Sequence, residues 1–260
     1  MSATPTLLAV AHGTRDTEGV RTVHALLDEV RRARPALRVE VAWLGLAEPS
    51  VPRALAALPG PAVAVPLLLA RGYHVRADLP ALLADARPGR VRVAPALGPS
   101  PLLARALAAR LAEAGRPAGG TPVVLAAAGS SDPRARADTA ESARLLAARL
   151  NAPVTAAFAA GEGPSPAEAV AAWHTAGHPD VALATHLLAP GHFAHRLTGT
   201  EARWTTAPLG AQRWLAALVL RRYDEGAAPW TRTAERTPAA LHAVAGPARS
   251  PGAPAPGAID

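Results

Sequence analysis

The chain has 260 residues, half of them hydrophobic but only 3% aromatic, and a formal charge of +7. Its length admits one large domain or two of about 100–150 residues, and the lack of cysteine excludes disulfides, thiolate metal sites and cysteine nucleophiles. All 27 basic residues are arginine beside heavy Ala, Pro and Gly use, which reads as a coding bias; with no Lys/Arg–aromatic ladder for base stacking, the surplus points to an acidic small molecule and not to nucleic acid.

Thr6–Ala11 is a short apolar run and reads as a buried parallel strand. HGTRDTEG follows as a turn, where Asp16 or Thr17 can cap a helix. That helix has apolar residues at Val20, Val23, Leu26, Leu27 and Val30 and ends at Pro35. Arg38–Leu46 reads as a second strand, and AEPS as a turn whose Ser50 can cap a helix through Leu58. Ala62–Leu69 is a third strand. After it come Gly72, Tyr73 and His74, then a helix over Leu79–Ala86. Val91–Leu97 is a fourth strand, and Gly98-Pro99-Ser100 opens a helix through Leu111. This β-α order with repeated right-handed crossovers predicts a mainly parallel sheet with helices on both faces.

A Gly/Pro-rich linker around 115–120 precedes a second copy of the pattern. Val123–Asp132 repeats LLAVAHGTRD, Pro153–Val170 repeats RVEVAWLGLAEPSVPRAL, Asp180–His192 repeats AVAVPLLLARGYH, and Thr205–Gly210 repeats VAPALG. The predicted organisation is therefore a first repeat, 1–116, a degenerate second repeat, 117–226, and a disordered Pro/Ala-rich tail, 227–260, with room for a short helix near Ala239–Val244. A crevice between the copies is the natural ligand site.

Two histidines stand just past parallel strands of the first repeat, His12 and His74, where open α/β sheets place their ligands. Their counterparts in the second repeat are Ala128 and Phe193, with His192 one residue earlier, so the chemistry is expected in the first copy. Imidazole is both a ligand for divalent metals and a base near neutral pH. Arg15, Arg71, Tyr73 and Arg76 flank the pair as candidate substrate-binding residues, since arginine pairs bidentately with carboxylates. Asp16 and Asp78 read as helix caps or partners of those arginines. Glu48, at the rim of the second strand, is either a third metal ligand or an ordinary turn carboxylate. His186, His192 and His195 form a weaker rival metal cluster, and His24 reads as solvent-facing. No phosphate loop, G-x-G-x-x-G or G-x-S-x-G pattern occurs. The amino terminus lacks a basic leader segment, and Pro or Arg interrupts every apolar run before membrane-spanning length. A cytoplasmic protein without a membrane partner is expected.

HGTRD after the first strand, the AEPS turn and PLLLARGYHVRADLP together resemble the sirohydrochlorin chelatase family, the class II chelatases, in its two-repeat form. The resemblance covers roughly residues 6 to 225. It implies two tandem flavodoxin-like, chelatase-type α/β/α domains related by internal duplication. It implies ATP-independent insertion of a divalent metal, Fe²⁺ first and Co²⁺ next, into sirohydrochlorin for siroheme or cobalamin synthesis. The metal would be a substrate, no cofactor would be tightly bound, and the chain would be a monomer or weak dimer. His12 and His74 match the family's histidine segments and would bind the metal and help remove pyrrole protons. Gly45 stands where the family's F-L-E-L-x-E-P segment has its first glutamate, and Glu48 matches the second. The alternative is a non-catalytic carrier of metal or tetrapyrrole with the same fold.

Overall fold

The computed structural model describes residues 4–72, 74–84, 89–197 and 199–236; the side chains of His74, Val75, His195 and 229–236 lie outside that description. Tyr73, Ala86 and the helix considered near Ala239–Val244 fall among the residues not described. The chain divides into a body, Met1–Ala228, and a segment, Pro229–Asp260.

The first repeat holds β1 (Thr6–Ala11), α1 (Thr17–Ala33), β2 (Val39–Trp43), α2 (Val51–Ala57), β3 (Ala62–Pro66), a π-helical turn (His74–Asp78), α3 (Leu79–Leu83), β4 (Val91–Val93) and α4 (Pro101–Glu113). The second holds β5 (Val123–Ala127), α5 (Pro133–Leu150), β6 (Val154–Phe158), α6 (Pro166–Thr175), β7 (Ala182–His186), α7 (His192–Arg196), β8 (Trp204–Thr205) and α8 (Arg213–Arg236). Each forms a four-stranded sheet, ordered β2-β1-β3-β4 and β6-β5-β7-β8, and every pairing is parallel. The central strands β1, β3, β5 and β7 are buried throughout, which is why they read as continuous apolar runs without alternation.

The duplication extends to single hydrogen bonds. The Leu44 N–H donates to Ala11 O at 2.9 Å, and the Ala159 N–H to Ala127 O at 2.9 Å. Trp43 N–H reaches Pro49 O at 3.0 Å, and Phe158 N–H reaches Pro164 O at 2.9 Å. Asp16 and Asp132 both cap the following helix, accepting from Glu18 N–H at 2.8 Å and Arg134 N–H at 2.9 Å. A cap of this kind satisfies backbone donors that the helix itself cannot reach. Gly13 and Gly129 have φ of 98° and 95°, and a Cβ on either would overlap the carbonyl oxygen of Gly45 or Ala160. Only glycine lets the turn after β1 or β5 lie so close to the neighbouring turn.

Several boundaries differ from the sequence expectation. The second strand stops at Trp43, although Leu44 N–H still donates to Ala11 O, and Leu46 beyond it is in a left-handed conformation. The third and fourth stop at Pro66 and Val93, although Leu67 N–H still donates to Val10 O and Leu97 N–H to Leu68 O. Ser50 and Asp78 stand at helix starts but make no side-chain capping bond. The π-helical turn before α3 was not legible in the sequence, and α3 ends at Leu83. The last helix, for which no bounds were read from the sequence, runs to Arg236.

The two cores are interlocked. In the first repeat α2 and α3 cover one sheet face, packing Val51, Ala54, Leu55 and Leu79 on Leu8, Val10, Ala62 and Ala64. The opposite face is reached by α8, from the far end of the chain. A Cβ on Gly226 would crowd Val63 Cγ1 at 2.5 Å, the Tyr223 hydroxyl donates to Pro5 O at 2.7 Å, and Asp224 pairs with Arg34, the residue that caps the end of α1, at 2.6 Å. Reciprocally α4 packs against β7 and α5, and Arg110 donates to Leu209 O at 2.8 and 3.0 Å. Each repeat's last helix thus completes the other repeat. The linker is held too: buried Arg116 donates to the carbonyls of Pro117, Gly119 and Thr121 at 3.2, 2.9 and 2.7 Å.

Candidate functional site

The carboxyl ends of β1, β3, β5 and β7 meet around a cavity of about 860 Å³. Both repeats line it, and its volume lies within the range of small-molecule sites, about 300–1,000 Å³.

His12 follows β1 directly and lines the cavity as an exposed side chain, with Thr14 and Arg15 beside it. The tight turn at Gly13 carries the chain from His12 to the Asp16 cap. His74 opens the π-helical turn that follows β3, the strand paired directly with β1. Neighbouring parallel strands therefore aim both histidine turns at the same sheet edge. Insertions of this helical type recur at functional sites.

The other sequence candidates divide. Arg15 lines the cavity, whereas Glu48, Arg71 and Arg76 are not among its lining residues. The Glu48 carboxylate is exposed, accepts from Ser50 N–H at 2.9 Å and faces Arg53 at 3.5 Å. Arg76 stands 3.6 Å from Asp132 of the second repeat. Arg71 is engaged across the repeats with Asp138 of α5. Its Nε lies 3.2 and 3.0 Å from the two carboxylate oxygens, one Nη lies 2.6 Å from Oδ1, and its backbone N–H donates to Oδ2 at 2.8 Å. Asp138 is only 1% exposed, and its carboxylate raises the Arg71 pKa above the ordinary arginine value, first by hydrogen bonding and then by charge. Sequence reasoning missed this pair, because nothing local marks two residues so far apart.

From the second repeat come Ser130, Ser131, Arg136, His186, His192 and Phe193. Arg136 is paired with Glu162 at 2.8 Å. His186 ends β7, is 3% exposed, and its Nε2 has no hydrogen-bond partner within the protein. Desolvation pushes its pKa down to about 4, so the ring is neutral at physiological pH. His192 is exposed in the same cavity, with its ring edge-on to Phe193 at 5.3 Å. Among the described residues no group of three or more His, Cys, Asp or Glu side chains could hold a metal ion, and no helix is long and apolar enough to cross a membrane. His24 is exposed, as expected, and stands edge-on to Trp43 at 6.3 Å.

Solved structures with this fold include SirB from Bacillus subtilis with Fe³⁺, at 22% identity and a TM-score of 0.73, covering 88% of this chain and 98% of that one. The sirohydrochlorin chelatase SirB from Bacillus subtilis subspecies spizizenii, in complex with cobalt, is 20% identical with a TM-score of 0.71, covering 88% and 98%. CbiX, described as the terminal enzyme for biosynthesis of siroheme in denitrifying bacteria, is 23% identical with a TM-score of 0.64, covering 85% and 98%. No curated protein matches the chain. The CbiX family profile matches residues 6–114 and again 122–226, the two repeats read from the sequence, and the chain belongs to the CbiX family.

Proposed function

We propose that this protein inserts a divalent metal ion into sirohydrochlorin without ATP, with Fe²⁺ as the favoured substrate and Co²⁺ next. The observation that carries the proposal is His12, exposed at the lip of a cavity shared by both repeats, in a chain of the CbiX family. Relatives of this fold hold Fe³⁺ and cobalt.

In this reading His12 and His74 receive the hydrated metal, each through a neutral ring nitrogen, and leave coordination positions open. Few protein ligands suit a metal that must be handed on. The same imidazoles then accept the two protons displaced from the pyrrole nitrogens. Arg15 and Tyr73 orient the acidic rim of the tetrapyrrole, Arg76 joins them by exchanging Asp132 for a substrate carboxylate, and Arg71 serves by anchoring the second repeat over the first.

The test is anaerobic absorption spectroscopy of sirohydrochlorin with Fe²⁺, Co²⁺ or Ni²⁺ and catalytic amounts of protein. Multiple turnovers that disappear in His12→Ala and His74→Ala support the proposal. A rate equal to spontaneous insertion rejects it. Gly45, in place of the family's glutamate, favours a second reading, a carrier that binds tetrapyrrole without metallating it. Saturation at one tetrapyrrole per chain with no turnover would select that reading.

A further inference from the structure

Leu46 combines features that packing does not explain. Its φ is +61°, a region disfavoured for L side chains because Cβ crowds the following carbonyl oxygen. The other described non-glycine residue with positive φ is Asn151, at the C-cap of α5, where a short polar side chain is tolerated. Leu46 has no such excuse, and it is not held in a core: it is 62% exposed. The paired bonds Trp43 N–H to Pro49 O and Phe158 N–H to Pro164 O align the two turns residue by residue. They place Leu46 opposite Gly161, whose φ is +88°. The second repeat thus meets the same backbone demand with glycine, while the first keeps a strained, solvated leucine.

That leucine lines the cavity. Of the large hydrophobic side chains exposed among the described residues, Leu46, Val93 and Phe193, two are in this one site. Backbone strain and exposed apolar surface at a ligand cavity together indicate a contact made only when the ligand arrives.

We infer that Leu46 is a specificity-determining contact, seating the apolar face of the flat macrocycle while cationic groups hold its acidic rim. The inference rests on the chelatase reading and adds a residue to it. Removing the side chain relieves the backbone and weakens the ligand at once, so stability and affinity move in opposite directions.

The experiment compares wild type with Leu46→Gly, which frees the backbone, and Leu46→Asn, which keeps a similar size and tolerates left-handed φ. Thermal melting is followed by anaerobic titration of metal-free sirohydrochlorin, read by absorbance, and by metallation kinetics. Both variants are expected to melt at or above the wild-type temperature. Their tetrapyrrole Kd and KM should rise about tenfold, the range expected for losing one buried aliphatic side chain, with kcat within about twofold. Wild-type turnover combined with unchanged Kd in both variants overturns the inference and leaves the chelatase reading standing. A lower melting temperature in both variants also overturns it, because Leu46 would then be a structural prop. A wild type that neither binds nor metallates sirohydrochlorin defeats the chelatase reading, and this inference with it.

Discussion

Replacing Arg71 by Ala sets two roles against each other, the substrate binding expected from the sequence and the repeat docking seen in the structure. The Arg71 side chain is 61% exposed, so the arginine end is well hydrated whether or not it is paired. The other end is different, because Asp138 is 1% exposed and water cannot replace the guanidinium there. Losing one partner of a buried pair typically costs about 3–5 kcal/mol. Here the backbone N–H of residue 71, at 2.8 Å from Oδ2, survives the substitution, and the pair is half solvated. A loss of about 2 kcal/mol is therefore expected, equivalent to about 4–8 °C in Tm for a body of this size. Thermal and urea unfolding would measure it, in a cycle with Asp138→Ala. The double variant should lose less than the sum of the singles by about 1 kcal/mol. Unchanged stability with a large rise in sirohydrochlorin KM would refute the docking role and return Arg71 to the substrate.

The low pKa of His186 has a definite sign. Unfolded chains bind its proton near the ordinary value of 6.5, whereas the folded protein holds it off until about pH 4. This contribution is intact above about pH 6.5 and falls by about 1.4 kcal/mol per pH unit below it, down to the folded pKa. His186→Leu should flatten the stability profile between pH 4 and 6.5 in urea melts; an unchanged slope would place the titration elsewhere. Residues 1–116 expressed alone should fail to give a cooperative melt, because α4 would lose β7 and α5 as partners while the first sheet lost α8. A sharp two-state transition would show that the exchanged helices are dispensable. Gly45→Glu should fold normally, since a Cβ there meets nothing within 4 Å, with Tm within about 2 °C of wild type. Metal affinity, measured by calorimetry, should rise.

Much of this protein was legible in order along the chain. Continuous apolar runs identify buried parallel strands because a strand covered on both faces needs no polar alternation. Asp16 announces its helix because capping is local, and the duplication follows from matching strings. His12 was recognisable as a candidate because a residue following a parallel strand has few other places to be. What stayed hidden depends on residues distant in sequence. The exchange of α4 and α8 between the sheets, and the Arg71–Asp138 pair across them, follow from how two half-covered sheets bury their remaining faces. The burial of His186 depends on the same packing, and the exposure of a left-handed Leu46 in the cavity shows only once both repeats are in place. Sequence alone determined the repeated strands and the loops that carry the histidines. Tertiary structure decided which arginine is committed, which histidine is neutral and which leucine faces the cavity. Local patterns encode hydrogen bonds between near neighbours, whereas desolvation and charge pairing depend on which surfaces finally meet.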